Sequence, residues 1–140
     1  MDPSKLFVAQ NTLDTRELFA RYDDLSKESR TKVRRRLNLD DDHSILVFVG
    51  QLVKRKGTRE LLEVFRRIQS DMPASLLVIG DGPDKQAMMD IVTEAGQENV
   101  HFLGSLPLID DSAPYIFASD VTVIPGYVGL VATHSLGLGV

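Results

Sequence analysis

Four apolar runs follow residue 43, separated by stretches whose apolar residues recur at helical spacing. Ile45-Leu46-Val47-Phe48-Val49 ends at Gly50, and Ser75-Leu76-Leu77-Val78-Ile79 ends at Gly80-Asp81-Gly82. Val100-His101-Phe102-Leu103 is a third run, and Val121-Thr122-Val123-Ile124 leads into Pro125-Gly126. The first of these lacks polar alternation, as expected of a strand buried on both faces of a parallel sheet. Between the first two runs, Thr58 is placed as an N-cap, and Leu61, Leu62, Phe65 and Ile68 form a helical stripe that Met72-Pro73 interrupts. Pro83 suits the first turn of a second helix, whose stripe of Met88, Ile91, Val92 and Ala95 stops at Gly96. Residues 110–119 form a short helix, and another begins near Leu130. Strands alternating with helices at this spacing predict right-handed βαβ units in an α/β, doubly wound parallel sheet. The common strand order 3-2-1-4 places the first run in the centre.

The two ends of the chain depart from this pattern. Residues 5–42 are polar and charge-dense, with Leu6-Phe7-Val8-Ala9 as a short strand and residues 26–39 as a helix. In that helix Val33 and Leu37 share a face, surrounded by Arg30, Lys32, Arg34, Arg35 and Arg36, and Asn38 with Asp40-Asp41-Asp42 stops it. A solvated helix on the flank of the domain is the simpler reading, an anion or membrane-surface patch the other. At the far end the sequence stops at Val140, after an apolar tail, Val128-Gly129-Leu130-Val131-Ala132, that a complete domain would cover. The expected division is therefore an entry segment, residues 1–42, and a domain, residues 43–140, that is partial at its C-terminal side. An uncovered edge at residues 121–124 predicts self-association.

Composition narrows the class. The 140 residues fit one domain, and 43% hydrophobic with 26% charged residues is ordinary for a globular chain. The absence of cysteine excludes a disulfide framework, a thiolate metal site and a cysteine nucleophile, and fits a reducing compartment. No run approaches the roughly 20 apolar residues of a membrane span, and the N-terminus lacks the regions of a signal peptide, so a cytoplasmic location is expected, with the inner face of a membrane as a place of peripheral contact. A net charge of −4 argues against general nucleic-acid binding, although the basic residues cluster at residues 30–36 and 54–59. Asp40-Asp41-Asp42 and Asp110-Asp111 read as solvated charge, and no bound metal is expected.

In an open parallel sheet, ligands bind beyond the carboxyl ends of the strands, where strand order reverses. The loops that face that crevice are residues 50–57 and 125–130. Both contain glycines, and the first also carries Lys54, Arg55 and Lys56, an arrangement suited to an anion. Helix-start amides near Leu130 would meet a phosphate from one side and a lysine from the other. The alternative, turn glycines beside a solvated basic loop, stays open on pattern alone. Gly80-Asp81-Gly82-Pro83 reads first as a strand-to-helix turn.

Several ordered blocks carry a resemblance. Val47-Phe48-Val49-Gly50-Gln51-Leu52 with Lys56-Gly57, Leu77-Val78-Ile79-Gly80-Asp81-Gly82-Pro83, Val100-His101-Phe102-Leu103-Gly104, Ala118-Ser119-Asp120-Val121, and Pro125-Gly126 with Gly129-Leu130 resemble the C-terminal domain of family 4 (group 1) glycosyltransferases. The resemblance implies a Rossmann-like half of the two-domain GT-B fold that binds a nucleotide-sugar donor, with no further cofactor. A separate N-terminal acceptor domain would be its partner. Residues 5–42 would be the segment entering the donor domain, with Asn11-Thr12-Leu13-Asp14 similar to the family's Asn-Gly-Val-Asp turn. The same carry-over makes Lys56 the lysine on the donor phosphates and Gly50 the glycine that opens its loop. It places Gly104 and Ser105 at the nucleobase, and Gly129 and Leu130 at the diphosphate.

Two departures matter. The family has arginine after the first loop glycine, where this chain has Gln51, and the family's Glu-x7-Glu pair falls on Gly126 and His134. A histidine can donate a hydrogen bond where glutamate would accept one, so His134 is either a candidate catalytic and ligand residue beside Lys56 or an ordinary helix residue. Retention of anomeric configuration is implied by the resemblance, not by these residues. A noncatalytic nucleotide-binding or protein-interaction domain with a degenerate site is the alternative reading. A receiver-like signalling domain needs an acidic cluster after the first strand, which Gly50-Gln51-Leu52 does not supply.

Overall fold

The computed structural model describes residues 13–107 and 109–140. The strand expected at residues 6–9 lies outside them, as do Asn11 and Thr12 of the entry turn. Two helices, α1 (Thr15–Leu25) and α2 (Arg30–Arg36), precede β1 (Ser44–Val49), a single 3-10 turn (Lys54–Lys56) and α3 (Thr58–Asp71). Then come β2 (Ala74–Ile79), α4 (Lys85–Glu94), β3 (Val100–Gly104), α5 (Ile109–Ala118), β4 (Val121–Thr122) and α6 (Val131–Gly137).

The strands form one parallel sheet in the order β3-β2-β1-β4, with β1 inside as the apolar runs predict. Successive side chains of β1 point to opposite faces. Leu46 and Phe48 join Leu61, Leu62 and Phe65 of α3, Leu76 and Val78 of β2, and Met88 of α4 in one core. Ile45 and Val47 pack with Leu77 and Ile79 on the other face, where the Tyr115 ring of α5 covers them. A third cluster joins Leu18 and Leu25 of α1, Val33 of α2, Ile116 and Phe117 of α5, and Leu138 after α6. Helices thus cover both faces, and every fully buried Leu, Ile or Phe stabilises the arrangement by about 1.5–3 kcal/mol relative to exposure.

Several local expectations change. The polar leading segment contains α1, capped by Asp14, whose carboxylate accepts a hydrogen bond from the Arg16 amide at 3.0 Å. The helix expected over residues 26–39 is the shorter α2, capped by Ser29 and stopped by Asn38, which takes a left-handed φ of 55°. Thr58 is not a cap: Gly57 occupies that position, while the Thr58 hydroxyl donates to Asp84 at 2.8 Å. Pro83 precedes α4 rather than opening it. The fourth strand is only Val121–Thr122, extended by one Val123 amide bond to Val47 O at 2.9 Å.

Candidate functional site

The chain leaves β1 at Val49, and its next residues are pinned across the end of β2: the Gly50 amide donates to Ile79 O at 3.0 Å and the Leu52 amide to Asp81 O at 2.9 Å. This carries the 3-10 turn back toward β4. Gly57 closes the turn in the left-handed region, φ 70°, and a Cβ there would lie 3.0 Å from Cβ of Pro125 and 3.2 Å from the Gly126 nitrogen. Both features require glycine.

The segment after β4 is fastened onto this turn. A Cβ at Gly126 would lie 2.5 Å from Arg55 O and 2.6 Å from Lys56 C, so the two backbones approach only because residue 126 has no side chain. The Tyr127 amide donates to Arg55 O at 3.1 Å, and Lys56 Nζ donates to Tyr127 O at 2.7 Å. The same ammonium stands 5.2 Å from the centre of the Tyr127 ring and 3.4 Å from where a Cβ of Gly129 would be. The two glycine-bearing loops expected to converge therefore do so, with Lys56 between them. The first backbone bonds of the following turn are Ala132 to Gly129 O at 3.3 Å and His134 to Leu130 O at 3.1 Å, which leaves the Gly129, Leu130 and Val131 amides ahead of them.

On the other side of β1, the ends of the first three strands enclose a groove of about 290 Å³. Gly50, Gln51, Gly80, Asp81, Ser105 and Leu106 line it. Gly104 ends β3 at a positive φ of 76°, and its carbonyl accepts from the Gly80 amide at 2.7 Å. The Asp81 carboxylate accepts from Lys85 Nζ at 2.9 Å and from the Gly82 amide at 2.8 Å. The lysine first, then the amide, holds this carboxyl below its ordinary range. Gln51 Oε1 accepts from Arg55 Nη2 at 3.3 Å.

His134 lies on α6, half-buried, and desolvation lowers its pKa, favouring the neutral ring. Its imidazole is part of none of the hydrogen bonds that join the two loops. The structure thus gathers Gly50, Gln51, Lys56, Gly126 and Gly129 around the end of β1, with Gly104 and Ser105 on the far side of the groove. Sequence reasoning missed the part of Tyr127, whose signal would have been an aromatic residue between two glycines opposite a lysine loop. A larger cavity of about 450 Å³ lies elsewhere, between α3 and α4, with Arg59, Arg66 and Arg67 along it. Among the described residues, no group of three His, Asp or Glu side chains is placed to hold a metal ion. None of the described helices is long and apolar enough to cross a membrane.

The chain is similar to known proteins in sequence and in fold. A Bacillus subtilis (strain 168) protein whose name places it in teichuronic acid biosynthesis as a glycosyltransferase, TuaC, is 33% identical over 102 residues, 73% of this chain and 24% of its own length. The glycosyltransferase MJ1607 of Methanocaldococcus jannaschii is 30% identical over 120 residues, 82% of this chain and 30% of that protein. The Anabaena protein HepE, solved in complex with UDP-glucose, has a similar fold: TM-score 0.64 at 20% identity, over 86% of this chain and 34% of HepE. The chain thus spans 24% to 34% of the length of these proteins. Residues 29–139 match the sequence profile of the family described as "Glycosyl transferases group 1", and the chain belongs to that family.

Proposed function

We propose that this chain forms the donor-binding part of a glycosyltransferase acting in glycan or polysaccharide synthesis. The observation that carries the reading is the fastening of residues 125–129 onto the Lys54–Lys56 turn, which sets one ammonium beside Gly129 at the carboxyl end of the central strand. A nucleotide-sugar has a diphosphate flanked by a nucleoside and a sugar. In this reading the diphosphate lies between Lys56 and the Gly129 and Leu130 amides, over the β1/β4 junction. The nucleoside extends across β1 into the groove lined by Gln51 and Ser105, toward Gly104 at the end of β3. Gly50 and Gly126 allow the close approach of backbone, and His134 borders the sugar side as a neutral hydrogen-bonding group.

Glycosyl transfer breaks the bond between the sugar's anomeric carbon and the diphosphate oxygen. The sugar passes to an acceptor hydroxyl, which gives up its proton, and the bonding electrons leave with the nucleoside diphosphate. Lys56 and the amides of residues 129–131 would stabilise that departing charge, and donor positioning would supply much of the remaining rate. The acceptor would come from a separate domain, so this chain alone binds donor without transferring sugar. The site would work in the cytoplasm, or against the inner face of a membrane.

The test is calorimetric titration of the chain with UDP, ADP and GDP. At least one binds, and Lys56→Ala weakens it by about tenfold or more, the worth of a charge-assisted hydrogen bond. Failure of all three would favour the noncatalytic interaction-domain reading, for which the loss of both family carboxylates is the supporting observation.

A further inference from the structure

We infer that Arg55 supplies a second phosphate cation of this site, held by Gln51 at the edge of the groove. This rests on the donor-binding reading above.

A diphosphate carries more charge than one exposed ammonium neutralises, and Lys56 already gives one of its three donors to Tyr127 O. The residue after Gly50, where the resemblance expects arginine, is the uncharged Gln51. The guanidinium next along the loop is directed at that residue: Arg55 Nη2 donates to Gln51 Oε1 at 3.3 Å, one turn back along the loop. Gln51 in turn lines the groove at the ends of β1 and β2. The amide side chain thus acts as a bracket that holds the fork of Arg55 at the rim.

The backbone beneath Arg55 is fixed independently of its side chain. Its carbonyl accepts from the Tyr127 amide at 3.1 Å, and Gly126 packs against the same carbonyl. Consecutive residues of the 3-10 turn therefore send their cations to opposite sides. Lys56 faces the β4 side, at Tyr127 and Gly129, and Arg55 faces the β2 side, at Gln51. A diphosphate over the end of β1 would be met from both. No carboxylate forms an ion pair with Arg55 among the described residues, and four of its five N–H donors are outside the Gln51 bond. Arginine suits this task because its planar fork can engage two oxygens at once.

The experiment titrates the full chain with inorganic pyrophosphate and with UDP. Arg55→Ala is expected to weaken both by about fivefold to twentyfold, within the range of a solvent-exposed charged hydrogen bond. Gln51→Ala removes the bracket and leaves Arg55 in place; pyrophosphate, which has no nucleoside to meet the groove, is expected to bind it more weakly by a smaller factor, about twofold to threefold. The decisive variant combines Arg55→Ala with Gln51→Arg: moving the cation to position 51 restores binding to near the parent value. Both positions are exposed, so unchanged melting temperatures check that folding is intact. If Arg55→Ala binds like the parent while Lys56→Ala does not, the assignment is overturned and the donor reading stands. Lack of rescue by Gln51→Arg also overturns it. If the parent binds neither pyrophosphate nor any of UDP, ADP and GDP, the donor reading fails, and this assignment fails with it.

Discussion

At the scale of single residues, the site depends on a side chain that is missing. The resemblance places a carboxylate at residue 126, but the structure has no room there: Arg55 O would lie 2.5 Å from a Cβ. Gly126→Ala should force the two loops apart, cost about 1–3 kcal/mol in urea unfolding as an overpacking change, and speed hydrogen exchange at the Tyr127 amide. Gly129→Ala is the control, because its Cβ would meet only Lys56 Nζ at an ordinary 3.4 Å; a change within about 0.5 kcal/mol is expected. His134 gives a prediction of opposite character. Burial lowers its folded pKa, so the unfolded chain binds the proton more readily. The penalty is absent well above the ordinary value of about 6.5, and grows as pH falls through that value toward the folded one. Unfolding free energies at pH 7.5 and pH 5 should therefore differ more in the parent than in His134→Gln, and equal differences would remove His134 from the account.

At the scale of elements, the sheet was legible and the leading helices much less so. The runs at residues 45–49 and 76–79 are continuously apolar because helices cover both faces, and their shortness and glycine ends favour strands over buried helix. α1 escaped because its burial rests on Leu18 and Leu25, two turns apart, among Arg16, Arg21, Asp23 and Asp24. Its place is fixed from the other end of the chain: a Cβ on Gly137 would lie 2.4 Å from Leu18 Cδ2, so α1 rests directly on α6. Within the apolar tail of residues 128–132, Val128 stays exposed and Leu130, Val131 and Ala132 are half-buried, while Leu138 beyond it is fully buried. Asp120, in the turn before β4, joins separate elements through its carboxylate. It accepts the buried Ile45 amide at 2.8 Å and Arg34 Nη2 at 2.7 Å, while Arg34 Nε donates to Ala118 O at 2.8 Å. Asp120→Ala should cost about 1–3 kcal/mol in urea unfolding, since it strands that amide, and Asp120→Asn should cost less because an acceptor remains. Such a linkage cannot be read from spacing, because Arg34 and Asp120 are 86 positions apart.

At the scale of the whole molecule, the loop cluster occupies one end of the sheet, and the two flanks of that sheet differ. β2 is paired along its full length with β1, whereas β4 is held by only two register positions, Leu46 with Val121 and Val47 with Thr122. Its attachment is supplemented by Thr122 Oγ1 donating to Ser135 Oγ of α6 at 2.7 Å. On its outer side β4 has no neighbouring strand among the described residues, and Val121 is 52% exposed there. An open edge of β-branched residues offers unpaired amides and carbonyls to a second copy. The shortness of β4 limits how many such bonds can form, so the expected association is weak and rises steadily with concentration instead of giving a discrete dimer. Light scattering across a concentration series should show it, and Val121→Lys should suppress it by placing a charge on the edge without touching Lys56 or Arg55. A chain that stays monomeric up to its solubility limit would show that the short edge already protects itself. Pyrophosphate binding that is the same in Val121→Lys and in the parent would separate this edge from the site at the end of β1.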